Sequence, residues 1–138
     1  PEIDAIVFNE PISIKTITDK KLGGVKAIWT VDRKKAKEFR DNYKPQYDIL
    51  LAQIRWGEVG YLYYLPKKAQ LEVLKSIGKN IYFMLPKQGT NPRGVEFSEK
   101  ALNAISSHPS SLKIKIDWIK KEISYDPFKR WLDLWKRD

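Results

Sequence analysis

The chain has 138 residues, enough for one domain with its own hydrophobic core. Its 26 lysines and arginines outnumber 17 acidic residues, and the formal net charge of +9 favours a polyanionic partner such as nucleic acid. The absence of cysteine excludes disulfides, thiolate metal sites and a cysteine nucleophile. With no apolar run near the roughly 18 residues of a membrane span and no leader peptide, we expect a cytoplasmic protein without a membrane partner.

Residues 3–18 predict a β-hairpin, in which Ile3–Phe8 and Ile12–Thr18 flank a turn at residues 9–11. A two-residue loop of Asn9 and Glu10 would set the cross-strand pairs. The expected pairs are Phe8 with Pro11, Ile6 with Ser13, and Asp4 with Lys15. Because side chains alternate along a strand, all of the last four residues project to one side of the hairpin. The opposite side is the expected core face and carries Ala5, Val7, Ile12 and Ile14.

An Asp opposite a Lys on a sheet is commonly a cross-strand ion pair. The same two residues also suit a metal-dependent phosphodiesterase. In such an enzyme the Asp binds a hard cation such as Mg²⁺. The Lys orients or deprotonates the attacking water and offsets charge on the phosphate. The pair alone leaves both interpretations open.

The pattern of Asp4 followed by Ile-Ser-Ile-Lys at residues 12–15 resembles the PD-(D/E)xK nucleases, in particular type II restriction endonucleases. The resemblance implies an α/β fold, a restriction-endonuclease-like mixed β-sheet flanked by helices. It also implies sequence-specific hydrolysis of double-stranded DNA with Mg²⁺ by a single nuclease-like domain over residues 1–138. The implied catalytic residues are Asp4, Ser13 and Lys15, with Asp4 as the metal ligand. Ser13 stands where the family usually has Asp or Glu, and the usual Pro-Asp is spread over residues 1–4.

Nucleases of the resembled family carry a helix before the catalytic strand, and it often supplies another acidic ligand. This sequence begins at that strand. We therefore expect either a fragment that lacks the N-terminal helix of a longer enzyme or a naturally short protein.

The loop and helix after the hairpin carry many cations. Residues 19–24 are polar and glycine-rich, which predicts an exposed loop. Thr30 is the predicted N-cap of a helix over Val31–Tyr43. In the resembled family the segment after the catalytic lysine often approaches DNA, so Lys20, Lys21 and Lys26 are candidate phosphate contacts. The helix supplies further candidates if its basic face lies on the same side as the catalytic residues, and these are Arg33, Lys34, Lys37 and Arg40. The alternative for all of them is ordinary solvation.

The middle of the chain alternates strands and helices, as in a mixed sheet with helices packed on it. The expected elements are strands over Tyr47–Trp56, Tyr61–Leu65, Ile81–Leu85 and Leu112–Ile119, and helices over Lys67–Ile77 and Glu99–Ser107. Pro66 and Gly78 frame the first of these helices, and Ser98 caps the second.

Residues 87–96 form a polar loop between firm elements, a position that often carries recognition residues. Gln88, Asn91 and Arg93 are side-chain types that read base edges in the major groove, with arginine bidentate to guanine. The alternative is a plain connector in which Asn91-Pro92 and Gly94 turn the chain.

Phe128, Trp131, Leu132 and Trp135 recur at helical spacing near the end of the chain. Such a stripe fits docking on the same domain or a homodimer interface, and the sequence does not choose between them.

Two other classes of protein remain as alternatives. A non-catalytic DNA-binding module of the same fold fits Ser13, because a single Asp binds Mg²⁺ weakly. An RNA-binding α/β domain would stack bases on Tyr61, Tyr63 or Tyr64, but these aromatics fall where a core strand is expected.

Overall fold

The structure is a computed structural model that describes residues 3–7, 9–86, 94–121 and 128–136. Within these residues it contains strands and helices in mixed order. The strands are β1 Ala5–Val7, β2 Glu10–Ile17, β3 Val25–Ile28, β4 Asp48–Gln53, β5 Val59–Leu65, β6 Phe83–Met84, β7 Val95–Phe97 and β8 Leu112–Asp117. The helices are α1 Arg33–Asn42, α2 Lys67–Ile77, α3 Lys79–Tyr82, α4 Glu99–Ser106 and α5 Lys129–Trp135.

The main sheet has five strands in the order β1-β2-β4-β5-β8. Strands β2 and β4 are parallel, and the other neighbours are antiparallel, so the sheet is mixed as the sequence predicts. A second, antiparallel sheet has the order β3-β7-β6. Strand β4 is central, which agrees with its nearly continuous apolar sequence.

The hydrophobic core lies against one of the two faces of the main sheet. We call the face that carries Ser13, Lys15 and Ile17 the inner face and the other the outer face. The register aligns Lys15 with Leu51, Leu51 with Tyr63, and Tyr63 with Lys113 across the inner face. Leu51 and Leu65 on this face are fully buried, and both belong to the hydrophobic core together with residues of α2 and α4. The core therefore lies on the inner side of the sheet.

The hairpin forms, but its predicted register and core face are wrong. Val7 pairs with Glu10 and Ile6 with Pro11, so the register of the hairpin is shifted by two residues from the expected one. Asp4 therefore does not lie opposite Lys15. The reason is Asn9, whose φ of 66° places it in the left-handed region that asparagine tolerates in tight turns. A shift of two residues keeps each side chain on its own face.

Asp4, Ser13 and Lys15 thus still share one face, but it is the core-facing one. Val7 and Ile14, expected in the core, are 43% and 42% exposed. The cause lies outside the hairpin, because the large apolar residues of β4 and β5 that complete the core lie on the inner side.

Other boundaries differ from the predictions as well. The loop predicted over residues 87–96 includes Val95 and Glu96, which belong to β7 and pair with β3 and β6. Helix α1 begins at Arg33, because the Asp32 carboxylate accepts hydrogen bonds from the backbone N–H groups of Lys34 and Lys35 at 2.7 and 3.2 Å and acts as the N-cap in place of Thr30. The strand expected over residues 81–85 is replaced by α3 and the short β6. The Gly78 carbonyl accepts from Ile81 and Tyr82, which starts a helical turn there.

The remaining elements follow the sequence closely. Helix α2 has the predicted bounds, and α4 begins after Ser98, whose hydroxyl accepts from the backbone of Ala101 at 3.0 Å. Strand β8 is an edge strand of the main sheet, and it carries lysines, which disfavour pairing with another chain, as expected. In α5, Trp131 and Trp135 are 62% and 81% exposed, so the choice between docking and a dimer interface stays open. Among the described residues, no helix is long and apolar enough to cross a membrane.

Candidate active site

Asp4 is held against β2 by three hydrogen bonds. Its backbone N–H donates to the Ile12 carbonyl at 3.0 Å, which extends the hairpin pairing by one residue. Its carboxylate oxygen Oδ2 accepts from the Ile14 backbone N–H at 2.7 Å and from the Ser13 hydroxyl at 3.3 Å. The acidic side chain therefore lies beside Ser13, and Ser13 itself is 7% exposed.

Ser13 and Lys15 line a cleft of about 550 Å³ beside β2 and the end of α1. Its wall also contains aromatic and amide side chains contributed by the residue after β3, the α1–β4 connection and α2. Those that matter for the site are Trp29, Tyr43, Gln46, Tyr47 and Gln70. Burial raises the pKa of the Tyr43 phenol, so this group stays protonated at neutral pH. The cleft thus combines two lysines, Lys15 and Lys44, with neutral polar groups.

Trp29 forms an exposed rim of this cleft. Its side chain is 69% exposed, and the Lys26 ammonium lies 5.2 Å from the ring centroid. Gly94 lies against the backbone of Ile28, next to Trp29. A Cβ atom at position 94 would lie 2.0 Å from the Ile28 carbonyl oxygen. Gly94 also has a φ of 103°, so glycine is required there for two reasons. The cleft rim is therefore in contact with Gly94, a residue of the predicted polar loop over residues 87–96.

The predicted phosphate contacts are placed in three different settings. In the loop after β2, the Lys21 ammonium lies 4.0 Å from the Glu99 carboxylate. The carbonyl oxygens of Asp19 and Lys20 accept hydrogen bonds from the buried Gln53 amide at 2.9 and 3.0 Å. Lys26 in β3 forms an ion pair with Glu96. These cations lie on a loop and strand whose backbone is fixed.

The cations of α1 lie on the helix that leads into the cleft wall. Arg40 binds Asp41 with an N–O distance of 2.8 Å, and this hydrogen bond lowers the pKa of the Asp41 carboxyl, with smaller contributions from the charges of Arg40 and Lys37. Arg33 and Lys34 are exposed in the first turn. Gln88, Asn91 and Arg93 lie outside the described residues, so the predicted recognition loop has no structural description.

The metal site predicted at Asp4 has one carboxylate. Among the residues that the structure describes, no group of three or more His, Cys, Asp and Glu side chains is placed to hold a metal ion. Mg²⁺ is commonly bound by one or two carboxylates together with phosphate oxygens and water. Asp4, with Oδ2 engaged by two donors, fits the protein part of such a site through its second oxygen Oδ1.

A protein-family model described as restriction endonuclease ThaI matches residues 1–137. The chain belongs to the ThaI restriction endonuclease family. A solved structure titled "Restriction endonuclease in complex with substrate DNA" is 49% identical to the chain, with a TM-score of 0.90. The match covers 100% of this chain and 66% of that one, so the chain spans about two thirds of that enzyme's length. No curated protein matches the sequence. The restriction-endonuclease-like fold and the resemblance read from the hairpin are thereby confirmed.

In this ThaI family member, sequence reasoning missed Trp29, Tyr47 and Gln70 as parts of the cleft. The structure buries Gln70 together with Val73 and Leu74 on one face of α2. A helical wheel centred on the latter two residues places Gln70 on their face. A glutamine on that face is the signal in the sequence that pointed to a buried polar group.

Proposed function

We propose that this chain is the nuclease part of a sequence-specific endonuclease that hydrolyses phosphodiester bonds of double-stranded DNA with Mg²⁺. The observation that carries the proposal is the contact of Asp4 with Ser13, with Lys15 next along the same face and both β2 side chains in one cleft. Membership of a restriction endonuclease family and similarity to a restriction endonuclease in complex with substrate DNA support it.

Asp4 is the residue that would hold the metal. When bound, the cation neutralises charge on the scissile phosphate and on the departing oxygen. Asp4 is suited to this task because the Ile14 N–H and the Ser13 hydroxyl fix its carboxylate. Ser13 acts through this hydrogen bond in our proposal, as a residue that orients Asp4.

Lys15 would act on water and phosphate. In the hydrolysis, a water oxygen forms a new bond to phosphorus and the bond from phosphorus to one deoxyribose oxygen breaks. One water proton ends on the departing oxygen, and the other is released. The Lys15 ammonium orients the water and stabilises the negative charge that develops on the phosphate oxygens.

The remaining candidate residues would contact DNA outside the reacting group. The proposed phosphate contacts are Lys20, Lys21, Lys26, Arg33, Lys34, Lys37 and Arg40. Gln88, Asn91 and Arg93 are the proposed base-reading residues, because their side chains match the donor and acceptor pattern of adenine and guanine. The ordered rim at Trp29 and Gly94 supports this proposal, since it places the end of that loop beside the cleft.

The test is digestion of a long mixed-sequence DNA with and without Mg²⁺ by the full-length protein and by its Lys15→Ala and Asp4→Ala variants. We expect discrete fragments from the wild type with Mg²⁺ only. Each variant should lose at least about a hundredfold in cleavage rate, the range for removing a group that acts on the proton transfer or its charge. DNA affinity should stay within a few fold, because both residues act on one phosphate.

Lys113→Ala is the matched control. Lys113 lies in the same row of the inner face as Lys15 but stacks its ammonium 3.9 Å from the Tyr61 ring, away from the cleft. It should cleave at the wild-type rate. Cleavage by Lys15→Ala at the wild-type rate would refute the assignment, and Mg²⁺-independent binding without any cleavage by the wild type would favour the non-catalytic DNA-binding module.

A further inference from the structure

The α1–β4 connection brings a second lysine to the cleft that holds Lys15. Lys44 follows the end of α1 by two residues, is exposed to solvent and lines the cleft. Among the described residues, Lys15 and Lys44 are the two cations that line it. A phosphate that enters the cleft is therefore attracted by charges from two different elements of the fold.

The backbone at Lys44 is fixed on both sides. Before it, Tyr43 packs its ring against Phe83 with a centroid distance of 4.7 Å. After it, Pro45 is buried, and a residue that precedes proline is restricted to extended conformations. The Gln46 amide also donates to the Lys44 carbonyl oxygen at 3.3 Å. An anion that binds Lys44 therefore has to order little more than its side chain.

The strand register places Lys44 near the Asp4 end of the site. Strands β2 and β4 are parallel and Ile12 pairs with Asp48, so the chain that enters β4 arrives beside the start of β2. The carbonyl of the same Ile12 accepts the backbone N–H of Asp4. Lys44 precedes Asp48 by four residues, a span of at most about 14 Å. That span equals about four nucleotide steps along one DNA strand, at roughly 3.4 Å each. Lys44 is thus within a few phosphates of the one on which Asp4 and Lys15 would act.

No acidic group competes for the Lys44 ammonium. Among the described residues, no acidic side chain lies within ion-pair distance of it. The carbonyl oxygens at the end of a helix also attract cations, but at the end of α1 the Lys79 ammonium already binds the Asp41 carbonyl. The Asp41 carboxylate is bound by Arg40. The charge of Lys44 is therefore available to an anion in the cleft.

We propose that Lys44 is a positioning residue of the endonuclease, whose ammonium binds a phosphate that flanks the scissile phosphate on the same DNA strand. This inference rests on the proposed function. A flanking phosphate that is held in place limits the positions that the scissile phosphate can take between Asp4 and Lys15. Attack by water requires the reacting atoms to be aligned, so this restriction raises the cleavage rate as well as the affinity.

The first experiment measures binding of mixed-sequence double-stranded DNA by the full-length protein without Mg²⁺. A phosphate contact predicts that Lys44→Gln weakens binding to all sequences and reduces the slope of log K against log salt by about 0.9. Lys75→Gln is the matched control, because Lys75 is exposed on α2 about 140° around the helix from Gln70, the α2 residue that lines the cleft. It should leave the slope unchanged. Because both lysines are exposed, both variants should keep the thermal unfolding temperature of the wild type.

The second experiment measures single-turnover cleavage with Mg²⁺ at saturating enzyme. Lys44→Gln should cut about tenfold more slowly than the wild type, and Lys44→Arg, which keeps the charge, should stay within about threefold. The substrates then carry one uncharged methylphosphonate at each of the phosphates within about four nucleotide steps of the cut. At one position, the methylphosphonate and Lys44→Gln should slow cleavage to the same extent singly or together, because each removes the same contact.

Three results would overturn the proposal. An unchanged salt slope for Lys44→Gln, or an equal change for Lys75→Gln, would show that Lys44 contacts no phosphate. Additive effects of Lys44→Gln and the methylphosphonate at every position would show that its charge acts only as a diffuse field. Wild-type cleavage by Lys44→Gln at saturating enzyme would exclude the positioning role.

The two proposals fail separately. If Lys15→Ala is inactive while Lys44→Gln cleaves normally, only the role of Lys44 is refuted. If Lys15→Ala cleaves at the wild-type rate, the proposed active site is wrong, and the salt slope of Lys44→Gln still decides whether Lys44 contacts a phosphate.

Discussion

The two faces of the main sheet are built from the same strands but have opposite surroundings. On the inner face, Leu51 and Leu65 are fully buried, and the polar Ser13 and Gln53 are 7% and 5% exposed. On the outer face, Ile14 and Ile114 are 42% and 58% exposed. Polarity alone thus does not decide which face is buried. Among the described residues, the face covered by α2 and α4 is the one with the cleft.

The strand register also separates charge between the faces. Paired positions of β2, β4, β5 and β8 place Lys15, Lys113 and Lys115 on the inner face. The paired outer positions of the same strands carry no lysine or arginine. The inner positions therefore offer cations to a polyanion, although Asp117 on the same face offsets the charge of Lys115, and the outer positions offer none.

The largest expected contrast between the faces is in stability. Leu51→Ala should lower the free energy of unfolding by about 2–5 kcal/mol, because it removes a fully buried side chain and leaves a cavity. Ile114→Ala, on the outer face, should cost less than about 1 kcal/mol. Urea unfolding of the full-length protein measures both. Equal costs would show that the outer face is buried in the complete protein.

The next contrast concerns cleavage. Ser13→Ala removes the 3.3 Å hydrogen bond from the hydroxyl to Asp4 but leaves the 2.7 Å bond from the Ile14 N–H, so Asp4 is only loosened. Loss of one such bond is worth about 0.5–1.5 kcal/mol, or roughly two- to tenfold in cleavage rate. Thr16→Ala, on the outer face of the same strand, is the control and should cleave normally. A loss as large as that of Asp4→Ala would mean that Ser13 has a direct catalytic role.

The sequence was sufficient for helices α2 and α4 and for the strands of the main sheet. It was not sufficient for the region of α3, β6 and β7 or for the face of the hairpin that becomes the core. Pro66, Gly78 and Ser98 act locally, through fixed backbone angles and caps, and the helices that they bound were predicted to within a residue. The side of β2 that is covered depends on β4 and β5, far along the chain, and no pattern within residues 3–18 contains that information.

The candidate site was predictable to the same extent. Asp4, Ser13 and Lys15 were placed on one face because a register error of two residues leaves the alternation of side chains unchanged. The direct pairing of Asp4 with Lys15 was wrong, since it depends on the register itself. Gln70 was missed as part of the cleft because its side chain is held by two backbone carbonyls that only the fold brings together.

The smallest expected effect tests whether the inner side also carries the phosphate contacts. Among the α1 cations, Arg40 binds Asp41, and Lys37 is close enough to contribute to the lowered pKa of Asp41. Lys34 is therefore the cleanest to change. If it contacts a phosphate, Lys34→Gln should lower DNA affinity for all sequences alike and reduce the slope of log K against log salt by about 0.9.

Lys115→Gln is the control, because Lys115 lies on the edge strand β8 and its ammonium is 3.5 Å from the Asp117 carboxylate. Binding titrations at several salt concentrations measure both slopes. An unchanged slope for Lys34→Gln, or an equal change for both variants, would mean that α1 is an ordinary solvent-facing helix and that the charge of the inner side acts only as a diffuse field.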